Sequence, residues 1–319
     1  MRAICLEQST ICFNADYSSP LVGTGEVLID VIKAGICETD LQLVKGYMGF
    51  SGVLGHEFVG RATSGEFQGQ RVVGEINCNC KNCSRCDSGL GNHCADRTVV
   101  GILHHDGAFA DQVAIPQSSL HLIPDSITND QAVLIEPLAA ALEIGIQVDF
   151  AAVRKAIVLG DGRLAYLCAQ TISQTVQDLR VVGKHELKLE RFQRLGIETV
   201  KLDALKCERA FDLVVDCTGS VSGLPLALKL VEPRGTIVMK TTVAAEHHLS
   251  LAPIVIDEIR LVGSRCGPFD RAITMLEQGR FDLSGLITHR FPLEAAKEAF
   301  KTAVEPDAFK VVFEVSQRQ

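Results

Sequence analysis

The stretch of sequence that decides the fold is residues 156–165, Ala156-Ile157-Val158-Leu159-Gly160-Asp161-Gly162-Arg163-Leu164-Ala165. An apolar run predicts a buried strand, and a turn with the spacing G-x-G-x-x-A follows it. In such a turn the first glycine allows a tight bend, the second lets a pyrophosphate approach the backbone, and the third position needs a small residue. The helix predicted next would direct its amino terminus at the anion. We therefore expect Gly160, Gly162, Arg163 and Leu164 to bind a dinucleotide.

Short apolar runs of strand length recur through the middle of the chain, separated by segments with helical spacing. The runs are residues 156–159, 179–182, 213–215, 236–239 and 259–262. Strands that alternate with helices favour βαβ units and a parallel sheet. We expect an α/β protein in which residues 141–264 form a doubly wound Rossmann domain.

The two ends of the chain have a different pattern. Residues 1–140 are rich in glycine, turns and short strand-like runs, among them 53–59 and 70–73, and predict a β-rich domain. From residue 265 the chain contains two amphipathic helix candidates, 269–278 and 293–304, and a final strand-like run. These elements are too few for a separate domain, so we expect 265–319 to be a return segment that packs on the first domain.

Composition excludes several classes of protein. The chain has 319 residues, 47% of them hydrophobic and 22% charged, with a net charge of −8. This composition excludes disorder as the main state and gives no sequence-wide basic footprint for nucleic acid. No long apolar run predicts a membrane span, and no signal peptide is evident. We expect a cytoplasmic protein that binds neither nucleic acid nor membrane.

Five of the twelve cysteines lie between Cys78 and Cys94. Four of them follow the spacing C-x2-C-x2-C-x7-C and are Cys80, Cys83, Cys86 and Cys94. Clustered cysteines in a cytosolic protein indicate a metal site, and four thiolates close a structural zinc site. Buried thiols or an iron–sulfur cluster are the alternatives. We expect a structural zinc lobe at about residues 78–95.

A second set of metal-binding residue types is dispersed along the chain. Cys37 precedes His56-Glu57 by nineteen residues, and Glu136 lies far downstream. Taken alone, these residues also fit a buried thiol, a capping histidine and surface acids, and their spacing does not choose between the two interpretations.

Together, the segments Cys37-Glu38-Thr39-Asp40 and Gly55-His56-Glu57-Phe58-Val59-Gly60 and the four-cysteine lobe resemble the zinc-containing medium-chain dehydrogenase/reductase family. The resemblance covers essentially the whole chain. It implies a GroES-like β domain joined to a Rossmann domain. It also implies a catalytic zinc held by Cys37 and His56, with Glu57 and Glu136 at the positions of further or supporting ligands. Zinc bound with one open position acts as a Lewis acid.

The resemblance also assigns the remaining site residues. Thr39 stands where the family places the hydroxyl that passes on the substrate proton, and Gln42 replaces a histidine that delivers it to solvent in some members. Cys217 and Thr218 resemble the segment beside the nicotinamide ribose, and Arg265 resembles an arginine that reaches the pyrophosphate. An ordinary turn and a surface charge are the alternatives for these three.

Cofactor choice is predicted from the end of the second strand of the Rossmann domain. An acid there would bind the ribose 2′-hydroxyl of NAD. This chain instead has Gly183, which leaves space, followed by the basic residues Lys184 and His185. We expect NADP to be preferred over NAD.

We thus expect a zinc-dependent oxidoreductase with two zinc ions per chain that transfers hydride between NAD(P) and an alcohol, polyol or sugar. The alternatives are a zinc-free NADPH quinone or enone reductase and a catalytically silent NAD(P)H sensor. The resemblance implies a homodimer or homotetramer.

Overall fold

The computed structural model describes residues 1–246 and 248–316 and divides the chain into two compact units. The first unit combines residues 1–136 with the described residues from 269 onward, and the second comprises Pro137–Pro268. The last three residues of the predicted return segment, 317–319, lie outside the described residues. Each predicted boundary, after residue 140 and after residue 264, falls four residues from the observed one. A continuous helix crosses the first of them, so no linker composition marks it.

The strands are β1 (Ala3–Glu7), β2 (Thr10–Asn14), β3 (Glu26–Gly35), β4 (Gly52–Val53), β5 (Glu57–Ala62), β6 (Arg71–Gly74), β7 (Asn77–Cys78), β8 (Thr98–Val99), β9 (Gln112–Pro116), β10 (Leu120–Leu122), β11 (Lys155–Leu159), β12 (Asp178–Gly183), β13 (Glu198–Lys201), β14 (Phe211–Asp216), β15 (Val231–Met239), β16 (Arg260–Gly263), β17 (Ile287–Phe291) and β18 (Lys310–Glu314). The helices are α1 (Glu38–Val44), α2 (Ser84–Asp87), α3 (Asn129–Ala132), α4 (Ile135–Leu142), α5 (Ile144–Gln147), α6 (Arg163–Ser173), α7 (Glu186–Arg194), α8 (Gly223–Leu230), α9 (Ala252–Ile256), α10 (Phe269–Glu277) and α11 (Ala296–Thr302).

The first unit is built on a seven-stranded sheet with the order β10-β6-β5-β3-β18-β17, in which β9 also pairs with β3. The carboxyl-terminal strand β18 lies antiparallel to β3, so the end of the chain is part of this sheet. Phe109 contacts two aromatic side chains of this segment, with ring centroids 4.9 Å from Phe313 and 6.1 Å from Phe300. Burial of these rings couples the return segment to the amino-terminal core.

The second unit contains a six-stranded parallel sheet with the order β13-β12-β11-β14-β15-β16. Its central strands are buried apolar runs, as expected for a parallel sheet covered on both faces. The strand order reverses between β11 and β14, and ligands of such sheets bind at that switch point, beyond the carboxyl ends of the strands. The predicted α/β class, with a β-rich first part and a doubly wound parallel sheet in the second, is confirmed.

Two elements differ from the sequence-based expectation. The run Val53–Val59 was predicted as one strand, but it is divided into β4 and β5 by a bend at Gly55, whose φ is +96°. The sixth parallel strand, β13, was not predicted, because this edge strand is polar and no residue in it is fully buried. Within the described residues, no helix has the length and apolar composition needed to cross a membrane.

Candidate functional site

The pairing of β3 with β5 brings the first group of predicted site residues together. In this antiparallel pair Gly35 lies opposite Glu57. Cys37 follows two residues after Gly35 as the amino-terminal cap of α1, and His56 immediately precedes β5. Ligand atoms of Cys37, His56 and Glu57 consequently lie within 4.8 Å of one another, although the residues are distant in sequence. A thiolate, an imidazole and a carboxylate are donors that zinc accepts, so the group fits a zinc ion.

Asp40, which the sequence analysis did not select, supports this group from behind. Its side chain is fully buried, Oδ2 accepts the Cys37 backbone N–H at 2.8 Å, and Oδ1 lies 3.5 Å from His56 Nδ1. Burial by itself lowers the pKa of His56, but the Asp40 carboxylate together with Cys37 outweighs burial and raises that pKa well above its ordinary value. A carboxylate at Nδ1 leaves Nε2 as the ring atom for a metal and fixes the ring orientation.

The two glutamates of the predicted ligand set have different surroundings. The Glu57 carboxylate is fully buried and forms an ion pair with the fully buried Lys310 of β18. Gly35 makes room for this pair, because a Cβ at that position would lie 2.5 Å from Lys310 Cε. Glu136 lies in the first turn of α4, is half-buried, and is not one of the three residues grouped within 4.8 Å.

The predicted proton relay begins beside Cys37. Thr39 is half-buried, and its Oγ1 lies 3.9 Å from Cys37 Sγ. Gln42 is buried in the next turn of α1, and its Nε2 donates a hydrogen bond to Glu38 Oε1 at 2.8 Å. An amide has no titratable proton, so Gln42 cannot carry the proton onward as an acid or base.

The four-cysteine lobe has the dimensions of a zinc site. The sulfur–sulfur distances are 3.4 Å for Cys94–Cys80, 3.5 Å for Cys83–Cys86, 3.8 Å for Cys83–Cys94 and 3.9 Å for Cys80–Cys86. Four sulfurs placed tetrahedrally at about 2.3 Å from one ion are about 3.8 Å apart. A backbone hydrogen bond from Cys86 lowers the pKa of Cys83 to about 6, which favours the thiolate that zinc binds.

The second unit contains the predicted dinucleotide turn between β11 and α6. Gly160 has a φ of +115°, and a Cβ there would lie 2.7 Å from the Cys217 carbonyl oxygen. Gly162 caps the amino terminus of α6, and a Cβ there would meet open space. Arg163 and Leu164 form the first turn of α6 and are half-buried. A tight turn, open space and a helix amino terminus together fit a pyrophosphate.

The end of β12 contains a carboxylate that the sequence analysis did not place there. Asp161, from the dinucleotide turn, accepts the backbone N–H groups of Lys184 at 2.6 Å and His185 at 2.7 Å. It also lies 3.0 Å from His185 Nδ1. Gly183 allows this approach, since a Cβ there would lie 2.5 Å from Asp161 Cβ. Lys184 is exposed.

The remaining predicted cofactor residues lie at the carboxyl edge of the same sheet. Cys217 and Thr218 follow β14, where the Thr218 backbone N–H donates to Asp216 Oδ1 at 2.9 Å. Arg265 follows β16 and is exposed. Asp40, Asp161 and Lys310 are thus the site residues that sequence reasoning missed. An acid three residues after Cys37 was a visible signal for Asp40, whereas the partnership of Lys310 with a residue over 250 positions away had none.

Comparison with known proteins agrees with this arrangement. Residues 23–125 match the family described as the alcohol dehydrogenase GroES-like domain. The chain is 28% identical to the L-threonine 3-dehydrogenase of Chelativorans sp. strain BNC1, over 92% of this chain and 93% of that protein. It is 26% identical to the sorbitol dehydrogenase of Halalkalibacterium halodurans, over 92% of each. The structure of an alcohol dehydrogenase from Thermus sp. ATN1 has a similar fold, with a TM-score of 0.87 at 24% identity, covering 99% of this chain and 100% of that one.

The matched GroES-like domain and the full-length relatives together indicate the zinc-type medium-chain alcohol and polyol dehydrogenases, and the chain is an oxidoreductase of that type. The family expected from the sequence is confirmed.

Proposed function

We propose that this protein is a zinc-dependent dehydrogenase that transfers hydride between a nicotinamide dinucleotide and a small alcohol, polyol or sugar. The observation that carries the proposal is the group of Cys37, His56 and Glu57, whose ligand atoms lie within 4.8 Å. When bound there, zinc supplies Lewis-acid chemistry at the substrate oxygen.

In this proposal each residue of the first unit has a definite task. Cys37 and His56 hold the metal, and Asp40 orients His56. Glu57, held by its ion pair with Lys310, is the acid of this group, and Glu136 at the start of α4 is the further acid of the expected ligand set. Thr39 Oγ1 takes the proton of the substrate hydroxyl. The proton then leaves through water, because Gln42 does not titrate.

The metal assignment is tested by elemental analysis of protein purified without added metal. We expect two zinc ions per chain. Cys37→Ala should bind one zinc and lose turnover while remaining folded, whereas Cys83→Ala should lose the other zinc and become less stable, since structural zinc contributes folding free energy. Cys207→Ala, which removes an exposed thiol, is the matched control. Near-full turnover of Cys37→Ala would contradict the catalytic zinc site.

We also propose that the enzyme prefers NADP. The exposed Lys184 lies at the end of β12, and the Asp161 carboxylate there is bound by two backbone N–H groups and by His185. A 2′-phosphate next to Gly183 would therefore meet a cation rather than an unpaired acid. The test is the ratio of kcat/KM for NADP to that for NAD, which should fall in Lys184→Ala and remain unchanged in Lys188→Ala. A strong preference of the unmodified enzyme for NAD would overturn this assignment.

A surface of the second unit supports a homo-oligomer. β16 is the outer strand of the parallel sheet, and beside it α9 presents Val255 and Ile256 with 76% and 77% of their surfaces exposed. An open strand edge beside exposed apolar side chains favours association with a second copy. We expect a dimer or tetramer in analytical ultracentrifugation, and weaker association of Ile256→Lys. Unchanged association of that variant would exclude this surface.

We further propose that the enzyme acts in the cytoplasm. All twelve cysteines lie among the described residues and none is in a disulfide. Free thiols in this number are typical of a reducing compartment.

A further inference from the structure

Two thiols that the proposed reaction does not use lie in contact in the second unit. Cys168, in α6, and Cys217, directly after β14, are separated by 49 residues in sequence, yet their sulfur atoms are 3.8 Å apart. Both are free thiols; Cys168 is fully buried, and Cys217 is partly exposed. The pair is therefore close enough for bond formation after a small movement, and one member is open to the surface.

The pair lies against the dinucleotide turn. The Cys217 backbone N–H donates to the Leu159 carbonyl at 2.9 Å, and the Cys217 carbonyl oxygen is the atom that leaves no space for a side chain at Gly160. Cys168 lies one and a half helical turns after the start of α6, the helix that follows the segment Gly160–Gly162. A bond between the two sulfurs would join the two segments that border the switch point of the sheet.

The surroundings make the two thiols unequal. Burial alone raises the pKa of Cys168, but the hydrogen bond from Cys217 and the charge of Lys240 outweigh it, so this pKa lies below its ordinary value. The hydrogen bond to Cys168, together with burial, raises the pKa of Cys217 well above its ordinary value. Lys240 is buried, and its Nζ donates to the Ala140 carbonyl at 2.6 Å and to Ser264 Oγ at 3.2 Å. A nucleophilic sulfur thus lies beside a sulfur that can donate a proton.

We propose that Cys168 and Cys217 are a peroxide-sensitive pair whose reversible disulfide weakens dinucleotide binding. The Cys217 sulfur, which is the partly exposed one, attacks one oxygen of hydrogen peroxide. The S–O bond forms, the O–O bond breaks, and the departing hydroxide takes the Cys217 proton to become water. The Cys168 thiolate then attacks the Cys217 sulfur. The S–S bond forms, the S–O bond breaks, and hydroxide leaves and is protonated by solvent. Two thiols lose two electrons in total, and the peroxide is reduced to two waters.

The consequence for binding follows from the positions of the two segments. Bond formation draws α6 and the segment after β14 together, and both border the turn that receives the pyrophosphate. Binding and oxidation are then linked, so bound dinucleotide should lower the equilibrium constant for disulfide formation by the same factor by which the disulfide weakens binding. This consequence, unlike the disulfide itself, rests on the proposed dinucleotide site.

The experiment uses the zinc-loaded full chain, treated with hydrogen peroxide and then freed of it. Peptide mass spectrometry without reduction should find the Cys168 and Cys217 peptides joined, with the loss of two hydrogen atoms. Titration with NADPH and NADH, followed by fluorescence, should show an affinity lower by about tenfold or more. Dithiothreitol should restore it.

Variants separate this pair from other oxidation-sensitive thiols. Cys168→Ala and, in case that buried site does not tolerate alanine, Cys217→Ala should bind dinucleotide equally before and after peroxide. Cys12→Ala, which removes one thiol of the facing pair Cys5 and Cys12, should respond like the unmodified chain. Zinc content is measured throughout, because the four-cysteine lobe is present in every variant.

The outcomes distinguish the two proposals. The thiol-pair proposal would be overturned if the treated chain contained no joined peptides. It would also be overturned if peroxide lowered the dinucleotide affinity of Cys168→Ala and Cys217→Ala as much as that of the unmodified chain. A reduced chain that binds neither NADPH nor NADH would instead contradict the proposed dinucleotide site, and the mass measurement would still decide whether the disulfide forms.

Discussion

Lys310 and Glu57 form an ion pair in which neither side chain is exposed to solvent. Lys310 begins β18 near the end of the chain, and Glu57 begins β5 next to His56. Lys310 Nζ also donates to the Ile36 carbonyl at 3.1 Å, one residue before Cys37. The carboxyl-terminal strand thereby holds the two segments that carry the candidate metal ligands.

Removal of the lysine should therefore destabilise the protein. Lys310→Met leaves a carboxylate buried without its partner, for which we expect a loss of about 3–5 kcal/mol in the free energy of unfolding. Urea denaturation monitored by circular dichroism measures this loss. The double variant Lys310→Met/Glu57→Gln should recover part of it, because no charge then remains buried. If the double variant were as unstable as the sum of the two single variants, the two side chains would not be energetically coupled.

Asp40 should control zinc affinity at the proposed site of Cys37 and His56. Asp40→Asn removes the charge beside His56 while keeping the shape of the side chain, and we expect zinc affinity to fall by about 10–100-fold. Competition with a chromogenic chelator measures the affinity of each zinc ion. Asp30→Asn, on an exposed position of β3, is the control and should leave both affinities unchanged. Unchanged zinc affinity in Asp40→Asn would show that the carboxylate does not support the metal.

The two glycines of the dinucleotide turn should respond differently to alanine. Gly160→Ala combines a positive φ with a close approach to Cys217, so we expect it to lose about 1–3 kcal/mol of stability as well as dinucleotide binding. Gly162→Ala meets no atom of the chain and should keep its stability within about 0.5 kcal/mol. It should still bind NADPH less tightly, because its methyl group occupies the path of the pyrophosphate. Thermal unfolding and NADPH titration separate the two effects, and full NADPH affinity of Gly162→Ala would contradict this location of the pyrophosphate.

A charge network in the first unit should contribute to stability in a pH-dependent way. Asp130 pairs with Lys33 and with Arg290, whose Nη2 is 2.5 Å from Asp130 Oδ2, and both cations also contact Glu314. The hydrogen bond from Arg290, followed by that from Lys33, lowers the pKa of Asp130 to about 2. An acid whose pKa is lowered in the folded state stabilises the fold at pH values above its unfolded-state pKa of about 3.9. This stabilisation is lost as the pH falls towards about 2.

Because Asp130 is partly exposed, solvent screening reduces the expected contribution to about 1 kcal/mol. Asp130→Asn should therefore be less stable than the unmodified chain at pH 6, and the difference should shrink between pH 4 and pH 2. Urea midpoints at several pH values test this, with the fully exposed Asp125→Asn as the control. A difference that stays constant across this pH range would exclude ionisation of Asp130 as its cause.

Sequence and structure agree best where function depends on local spacing. The turn at Gly160 and Gly162 and the four-cysteine lobe each lie within a segment of fewer than twenty residues, so their residue pattern specified them directly. Prediction was poorer for β13, because an exposed polar edge strand lacks the apolar pattern by which strands are recognised. The bend between β4 and β5 was also missed, although Gly55 was a visible signal for it.

The sequence alone determined the α/β class, the glycine turn between β11 and α6 and the group of four cysteines, because these depend on residue types at fixed short separations. Only the tertiary structure decided that Asp40 supports His56, that Lys310 engages Glu57, and that Cys168 touches Cys217. These contacts arise from strand register and from the packing of a helix on a sheet, which join residues far apart in the chain. Single-sequence patterns record the periodicity of each element but not which element becomes its neighbour.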